Sequence, residues 1–179
     1  MLKILFLDRD GIINVDKGYI HKPEDIELVD GLELFLKTAE NMGYKLIVVT
    51  NQAGIARGFY TDNDVKNLHK HMYDTLAARG INITDFLFCP HHPDFTGECS
   101  CRKPAPGMLL LARDKYNVDM GKSIMIGDKR SDVLAGRNAG IGTCILVSSR
   151  YQSEKTAEAD YFAKNLSDAT EFIKKLNKN

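Results

Sequence analysis

Three observations predict a doubly wound α/β fold, a parallel sheet with helices on both faces. Short aliphatic runs recur along the chain, helical stripes fall between them, and the runs are apolar at nearly every position rather than at alternate ones. Continuously apolar strands belong to a sheet buried on both sides, and helical crossovers are what allow neighbouring strands to run parallel. The 179 residues, 44% apolar and 27% charged, suffice for one substantial core and are short for two, so a single domain over residues 1–179 is expected.

The first run, KILFLD at 3–8, is long enough for a strand and too short for a free-standing helix. Leu32, Phe35, Leu36 and Ala39 then recur at helical spacing and predict a helix with one buried stripe. KLIVVT at 45–50 is the second strand, and Val65, Leu68, Met72 and Leu76 mark the helix after it. DFLFC at 85–89 is the third. The segment holding Met108, Leu109, Leu111 and Ala112 has Pro106 near its start and Asn117 near its end, positions that suit a helix. SIMIGD at 123–128 leads into SDVLAGRNAG, where Ser131 is a candidate cap and Gly140 a stop, and TCILV at 143–147 is the last strand. HHPDFTGECSCRKPAPG is the one long irregular stretch, and loops of that length tend to carry function.

Lys plus Arg and Asp plus Glu balance at 24 each, which excludes a global basic field for holding nucleic acid. The lysines of the terminal KKLNKN read as solvated helix-end cations. No apolar run approaches the roughly 18 residues of a membrane span, and the N-terminus lacks a signal-peptide pattern. A cytoplasmic monomer without a membrane partner is the expectation.

The residues that directly follow the strands carry the chemistry. Asp8 and Asp10 end the first, Thr50 and Asn51 the second, Asp128 the fourth with Lys129 and Asp132 beyond it, and Lys103 comes from the loop before the third helix. In a parallel sheet these ends share one edge, where ligands bind. An aspartate after a strand is by itself more often a turn residue, but the combination is coherent. Carboxylates suit Mg²⁺, which typically takes one or two of them together with waters and a substrate phosphate oxygen. Asp8 can then attack phosphorus as an aspartyl-phosphate nucleophile, and Asp10 can protonate the leaving oxygen and later activate water. Thr50 and Lys103 can bind the phosphoryl oxygens. Asp132 reads first as the first-turn acid of a helix and second as a metal ligand.

Cys89, Cys99 and Cys101 crowd together beside His91 and His92, which in a reducing compartment suggests metal more than disulfide. Three thiolates and an imidazole form a closed structural zinc set, although the C-x-H…C-x-C spacing is not that of a standard finger and leaves unligated thiols open. Cys144, inside TCILV, reads as a small buried hydrophobe. His21, His69 and His71 have no partner at ligand spacing and are expected on the surface or at caps.

FLDRDGI, VVTNQAGIARG, CRKPAPGM and MIGDKRSD, in this order, resemble the four motifs of haloacid dehalogenase superfamily phosphatases. INVDKGYIHKPEDI and CPHHP…CSCRKPAPGM narrow the likeness to the heptose 1,7-bisphosphate 7-phosphatase branch, close to the histidinol-phosphatase domain. The resemblance runs from about Leu2 to Val147. It implies a Mg²⁺-dependent phosphatase acting on the 7-phosphate of a heptose bisphosphate, with Asp8 as nucleophile and Asp10 as acid and base. It further implies catalytic Mg²⁺ on Asp8, the Asp10 carbonyl and Asp128, and structural zinc on Cys89, His91, Cys99 and Cys101, with His92 the alternative to His91. Matching positions for substrate contact are Asp16, Lys17, Gly18, Tyr19, Thr50, Asn51, Gln52, Ala53, Arg102 and Lys103. Ile12 stands where the family usually has threonine, and Ala53 where serine is frequent.

Few residues remain for a large cap, so an open site shaped by loops is expected, with the zinc loop at 89–101 setting Arg102 and Lys103 in place. Arg102 is the candidate cation for the second phosphate, ahead of Arg57. Histidinol phosphate and a DNA 3′-phosphate end are the alternative substrates, the latter disfavoured by the neutral charge balance. A phospho-aspartate receiver is the alternative of another class, but receivers lack an acid two residues after the phosphoacceptor and have no such loop.

Overall fold

The computed structural model describes residues 1–176; the end of the KKLNKN run, 177–179, lies outside the described residues. Six parallel strands form one sheet in the order β3-β2-β1-β4-β5-β6. They are β1 (Ile4–Leu7), β2 (Lys45–Asn51), β3 (Ile83–Cys89), β4 (Ile124–Gly127), β5 (Thr143–Val147) and β6 (Tyr161–Ala163). The helices are α1 (Leu32–Asn41), α2 (Asp62–Ala77), α3 (Pro93–Thr96), α4 (Gly107–Tyr116), α5 (Arg130–Asn138) and α6 (Leu166–Leu176).

Strand alternation sorts the core onto two faces. Leu5, Leu7, Leu46, Val48, Ile124 and Ile126 pack under α1, α2 and α6, while Ile4, Phe6, Ile47, Val49, Met125 and Cys144 pack under α4 and α5. The expected helical stripes supply the matching surfaces, with the exception of Leu111, which faces solvent while Met108, Leu109 and Ala112 are buried. Thr61 starts α2 with a capping box, its Oγ1 accepting from Asp64 N at 3.2 Å while Asp64 Oδ2 accepts from Thr61 N at 2.7 Å. Asn117, at φ 51°, ends α4 in the left-handed region.

Two expectations need correction. The cap of α5 is Lys129, not Ser131, because the Asp132 carboxylate reaches back to accept from Lys129 N at 3.0 Å and opens the helix earlier. His69 is buried on α2 and stacks on Phe86 with ring centroids 4.8 Å apart, so it is neither a surface residue nor a cap. β6 and α6 extend the sheet beyond the five strands read from the sequence; α6 sends Leu166, Ala169 and Ile173 into the core on the α1 face. Cys144 is fully buried, as its surroundings in the sequence suggested. Among the described residues no helix is long and apolar enough to cross a membrane.

The order reverses between β1 and β4, the topological switch point where ligands bind in open α/β sheets. Leu7 pairs with Val48 on one side and Ile126 on the other, which brings Asp8, Thr50 and Asp128 out together just past the sheet edge.

Candidate active site

Asp8 leaves β1 almost fully buried, its Oδ1 accepting from Arg9 N at 2.8 Å and from Lys103 Nζ at 2.8 Å. The other acceptors around Lys103 are Asp132 Oδ1 at 2.6 Å and the Val49 carbonyl at 2.7 Å. An ammonium has three hydrogens, and here three acceptors meet them. Burial disfavours the charged amine, but Asp132 and Asp8 outweigh burial and raise the Lys103 pKa, so it remains a cation. Asn51 clamps the backbone of the same residue in both directions: its Nδ2 donates to Lys103 O and its Oδ1 accepts from Lys103 N, each at 3.0 Å.

Asp8, Asp128 and Asp132 offer carboxylate oxygens that all lie within 4.8 Å of one another. Burial and then repulsion from Asp132 push the Asp8 pKa up to about 6 despite Lys103, and burial with repulsion from Asp8 pushes Asp128 up to about 7. Both Asp128 oxygens are buried with no hydrogen-bond donor among the described residues. Such a carboxylate is costly unless something positive meets it. The close approach is built into the backbone: a Cβ on Gly11, which sits at φ +91°, would lie 2.5 Å from Asp128 Oδ2, and one on Gly127 would lie 2.3 Å from Asp132 Cγ. Orphaned oxygens among three clustered carboxylates fit a hard dication such as Mg²⁺.

Asp10 is held differently. Arg9, fully buried, donates through Nη2 to Asp10 Oδ1 at 2.9 Å and Oδ2 at 2.8 Å, Asn14 Nδ2 adds a bond to Oδ1 at 3.0 Å, and Gln52 Nε2 adds one to Oδ2 at 3.1 Å. Burial alone would raise the Asp10 pKa, but Arg9, Asn14 and Gln52 overcome it and hold the carboxyl below its usual range. Tyr60 in turn fixes Gln52, its hydroxyl donating to Gln52 Oε1 at 2.8 Å.

A tight recess of about 40 Å³ is lined by Asp8, Asp10, Thr50, Asn51, Lys103, Lys129, Ser131 and Asp132. It shares Asp10, Asn51 and Lys129 with an outer cavity of about 230 Å³, whose other walls are Asp16, Gly18, Tyr19, Ala53, Tyr60 and Tyr151. A larger hollow of about 530 Å³ beside α1 has as its charged walls Asp30, Glu33, Lys37 and Arg79; Glu33 pairs with both Lys37 and Arg79, and no carboxylate cluster lies there. Among the described residues the carboxylate cluster lies at the sheet edge instead.

Asp8, Asp10, Asp16, Gly18, Tyr19, Thr50, Asn51, Ala53 and Lys103 are brought together around these two spaces. Lys17 is not among their walls and pairs with Glu27 at 2.8 Å. Gln52 is buried behind Asp10, accepting from Tyr60 and donating to Thr50 Oγ1 at 2.8 Å. Arg102 does not line the cavity either: its Nη1 donates to the His91 carbonyl at 3.1 Å. Arg57 covers the Phe95 ring, its Cζ 4.8 Å from the centroid. Asp132 does what a first-turn acid does and also holds Lys103, a double role the sequence did not disclose.

Arg9, Asn14, Tyr60, Tyr151 and Ser131 are additions to the candidate residues. Arg9 had a readable signal, a cation placed between two candidate catalytic carboxylates directly after a buried strand; the others had none.

The cysteines converge as expected. Cys99 Sγ lies 3.6 Å from both Cys89 Sγ and Cys101 Sγ, close to the roughly 3.8 Å that thiolates bound tetrahedrally to one zinc at about 2.3 Å would show, while Cys89 and Cys101 stand closer, at 2.9 Å, still beyond disulfide length. His91 is not brought into the group: no ring nitrogen of His91 lies within 4.8 Å of all three sulfurs. The loop commits its carbonyl to Arg102, and the neighbouring His92 caps α3 by accepting from Asp94 N at 3.3 Å.

Residues 100–169 match a family model described as HAD-hydrolase-like. The chain is 41% identical over 177 residues, 96% of its length and 97% of the relative's, to a D-glycero-alpha-D-manno-heptose-1,7-bisphosphate 7-phosphatase of Photorhabdus laumondii. It is 43% identical over 181 residues, 97% of its length and 95% of the relative's, to the corresponding beta-heptose enzyme of Escherichia coli. Among solved structures it is similar to a D,D-heptose 1,7-bisphosphate phosphatase from B. bronchiseptica complexed with magnesium and phosphate, with a TM-score of 0.85 at 27% identity over 98% of this chain and 99% of that one. A HAD-like phosphatase from Mesorhizobium loti gives a TM-score of 0.87 at 31% identity, over 99% of this chain and 87% of the other.

Proposed function

The chain belongs to the D-glycero-D-manno-heptose-1,7-bisphosphate 7-phosphatase family of HAD-like hydrolases, and from that premise we propose that it removes the 7-phosphate of the heptose bisphosphate through a phosphoryl group carried on Asp8. The observation that carries the reading is the buried carboxylate cluster of Asp8 and Asp128, the latter without a hydrogen-bond donor among the described residues, set against a fully partnered Lys103.

Asp8 and Asp128, with the Asp10 carbonyl, are the proposed holders of Mg²⁺, which would supply positive charge against the phosphoryl oxygens when bound. Lys103 supplies a fixed cation beside the nucleophile. Asp8 Oδ1 already carries two donors, so Oδ2 is the oxygen available to attack phosphorus. Thr50, in the same recess, offers its hydroxyl to a phosphoryl oxygen. Asp10 rests ionised under Arg9, Asn14 and Gln52, ready to take a proton from the water that hydrolyses the aspartyl-phosphate. For the first half of the reaction it must hold a proton for the leaving oxygen, and an incoming phosphate dianion favours that by opposing the field of Arg9.

In the outer cavity Asp16, Gly18, Tyr19, Asn51 and Ala53 are proposed to contact the sugar, with Lys129 beside them. We also assign a structural zinc to Cys89, Cys99 and Cys101, with His91 the candidate for the fourth position; the convergence of three thiols next to Arg102 and Lys103 supports it. The same reading treats 1–179 as one domain acting as a cytoplasmic monomer on a small sugar phosphate, without nucleic acid or membrane. Its support is the balanced charge and the absence of a membrane-length apolar helix among the described residues.

The test is a comparison of kcat/KM for both anomers of the heptose bisphosphate, histidinol phosphate and a 3′-phosphorylated oligonucleotide. One of the bisphosphates should lead by orders of magnitude, and a lead by either other compound would replace the assignment.

A further inference from the structure

Thr50 lines the recess beside Asp8 and is buried, and its Oγ1 accepts from Gln52 Nε2 at 2.8 Å. An amide nitrogen can only donate, so the hydroxyl is the acceptor in this pair. Its own hydrogen has no acceptor among the described residues. A buried hydroxyl in that state is committed to donate elsewhere, and the recess is where a phosphoryl oxygen would receive the bond.

This commitment depends on how Gln52 is turned. Gln52 N donates to Cys89 O at 2.8 Å, which fixes its backbone against the end of β3, and its side chain is buried. Nε2 spends its two hydrogens on Thr50 Oγ1 and on Asp10 Oδ2, the latter at 3.1 Å. With the amide turned by half, its oxygen would face the Asp10 carboxylate, and Thr50 would give its hydrogen to Gln52. The remaining atom, Oε1, has one donor among the described residues, the Tyr60 hydroxyl at 2.8 Å. In the working orientation every polar atom of the amide is therefore matched, and Tyr60 supplies the third match.

Tyr60 is itself held in place. The backbone passes so close to its ring that a Cβ on Gly54 would lie 2.2 Å from Tyr60 Cε1, and the ring stacks on His21 with centroids 4.9 Å apart. The next residue, Thr61, is the cap of α2. Burial pushes the Tyr60 pKa up to about 12, so the phenol keeps the proton that it donates.

We propose that Tyr60 is a positioning residue for phosphoryl transfer: its hydroxyl locks the Gln52 amide in one orientation, which reserves the Thr50 hydroxyl for the reacting phosphoryl group and braces Asp10 through the same nitrogen. Tyr60 also walls the outer cavity, so contact with the sugar is the rival role. The two roles move different kinetic constants. The inference rests on the reading of phosphoryl transfer through Asp8 and holds for any sugar phosphate cleaved there.

Tyr60→Phe deletes the hydroxyl and keeps the ring. On p-nitrophenyl phosphate and on the heptose bisphosphate alike, kcat should fall about tenfold with KM nearly unchanged, the factor expected when a buried hydrogen bond of ordinary strength is lost in the transition state. The inhibition constant for orthovanadate, which mimics the transferring phosphoryl group, should rise by about the same factor. In a Gln52→Met background, Tyr60→Phe should change kcat by less than about twofold, because its route is already gone. Thr50→Val is a second background, in which the loss should shrink because one of the two branches is missing. A rise in KM on the bisphosphate with kcat and vanadate inhibition kept would make Tyr60 a sugar contact and overturn the positioning role. No effect of Tyr60→Phe, or an undiminished loss in both backgrounds, would overturn it as well. Asp8→Asn protein that still turned over p-nitrophenyl phosphate would instead overturn the reading of Asp8 as the phosphoryl carrier, and this inference with it.

Discussion

Replacing Lys103 by Met removes an ammonium that touches Asp8 Oδ1 at 2.8 Å, Asp132 Oδ1 at 2.6 Å and the Val49 carbonyl at 2.7 Å, and leaves an apolar chain of similar length. The space stays filled, so the loss is electrostatic. Asp8 and Asp132 are both nearly inaccessible to water, and breaking a buried pair by removing one partner costs about 3–5 kcal/mol because the other charge is left uncompensated. Asp8 already sits at about 6 with Lys103 pulling it down, so without that pull its folded pKa rises further. The sign of the pH dependence follows. The native variant binds more protons than the unfolded chain between the ordinary aspartate range and the raised folded value, so its stability falls as pH rises through that window.

Urea unfolding in EDTA at about pH 8 and about pH 5.5 measures both effects. The deficit against wild type should be about 3–5 kcal/mol at the higher pH and at least about 1 kcal/mol smaller at the lower one. Adding Asp132→Asn to Lys103→Met should recover part of it, since the neutral amide removes one of the stranded charges. A deficit under about 1 kcal/mol at the higher pH would refute the reasoning, because surface ion pairs are lost at that cost and buried ones are not.

Gly11→Ala should abolish phosphatase activity and weaken Mg²⁺ binding measured by calorimetry, while costing the fold only about 1–2 kcal/mol for the left-handed backbone, because its Cβ would meet Asp128 Oδ2 at 2.5 Å. His69, held neutral with a pKa lowered to about 3 chiefly by burial, takes up its proton on unfolding below its ordinary value of about 6.5. Stability should thus fall as pH drops from there toward 3, by about 1.4 kcal/mol per pH unit from this group, and His69→Phe should remove that contribution; parallel pH dependences of the two proteins would count against it. Brief EDTA treatment should stop activity and excess Mg²⁺ should restore it without added zinc, whereas Cys99→Ser should lose activity that Mg²⁺ does not return. Metal analysis of the purified protein should give about one zinc per chain, and active protein free of zinc would remove the thiol assignment.

What could be read from the sequence was what the strands dictate. An apolar run that ends in Asp8, and another that ends in Asp128, must emerge at the same edge once the sheet is parallel, and the two strands prove to be neighbours at the switch point. Side-chain pairing across the fold was not legible in the same way. Nothing in the spacing of Lys103 and Asp132 says that they meet, or that Arg102 turns away to a carbonyl of its own loop while the adjacent lysine turns inward. The last strand was missed because Tyr161–Ala163 is only three residues long, too short for an apolar run to stand out; Ile145, Leu146 and Val147 of β5 define it by pairing. His69 was misplaced because helical position alone does not reveal that Phe86 on the neighbouring strand covers the imidazole. That Asp8 and Asp10 stand together at the end of a buried strand was legible, but the reason that their surroundings differ was not, since it depends on a buried Arg9 whose partners include Ile20 O at 2.9 Å, eleven positions away.

The claim that the phosphoryl group passes through Asp8 is tested most directly by rapid mixing of Asp10→Asn with p-nitrophenyl phosphate. Nitrophenolate is a good leaving group and does not need a proton from residue 10, whereas hydrolysis of the aspartyl-phosphate does need its base. The variant should release a burst of nitrophenolate approaching one equivalent per chain, then slow sharply, and acid-quenched protein should carry the phosphoryl group on the peptide containing Asp8. Release without a burst, with no phosphoryl group on that peptide, would contradict the account.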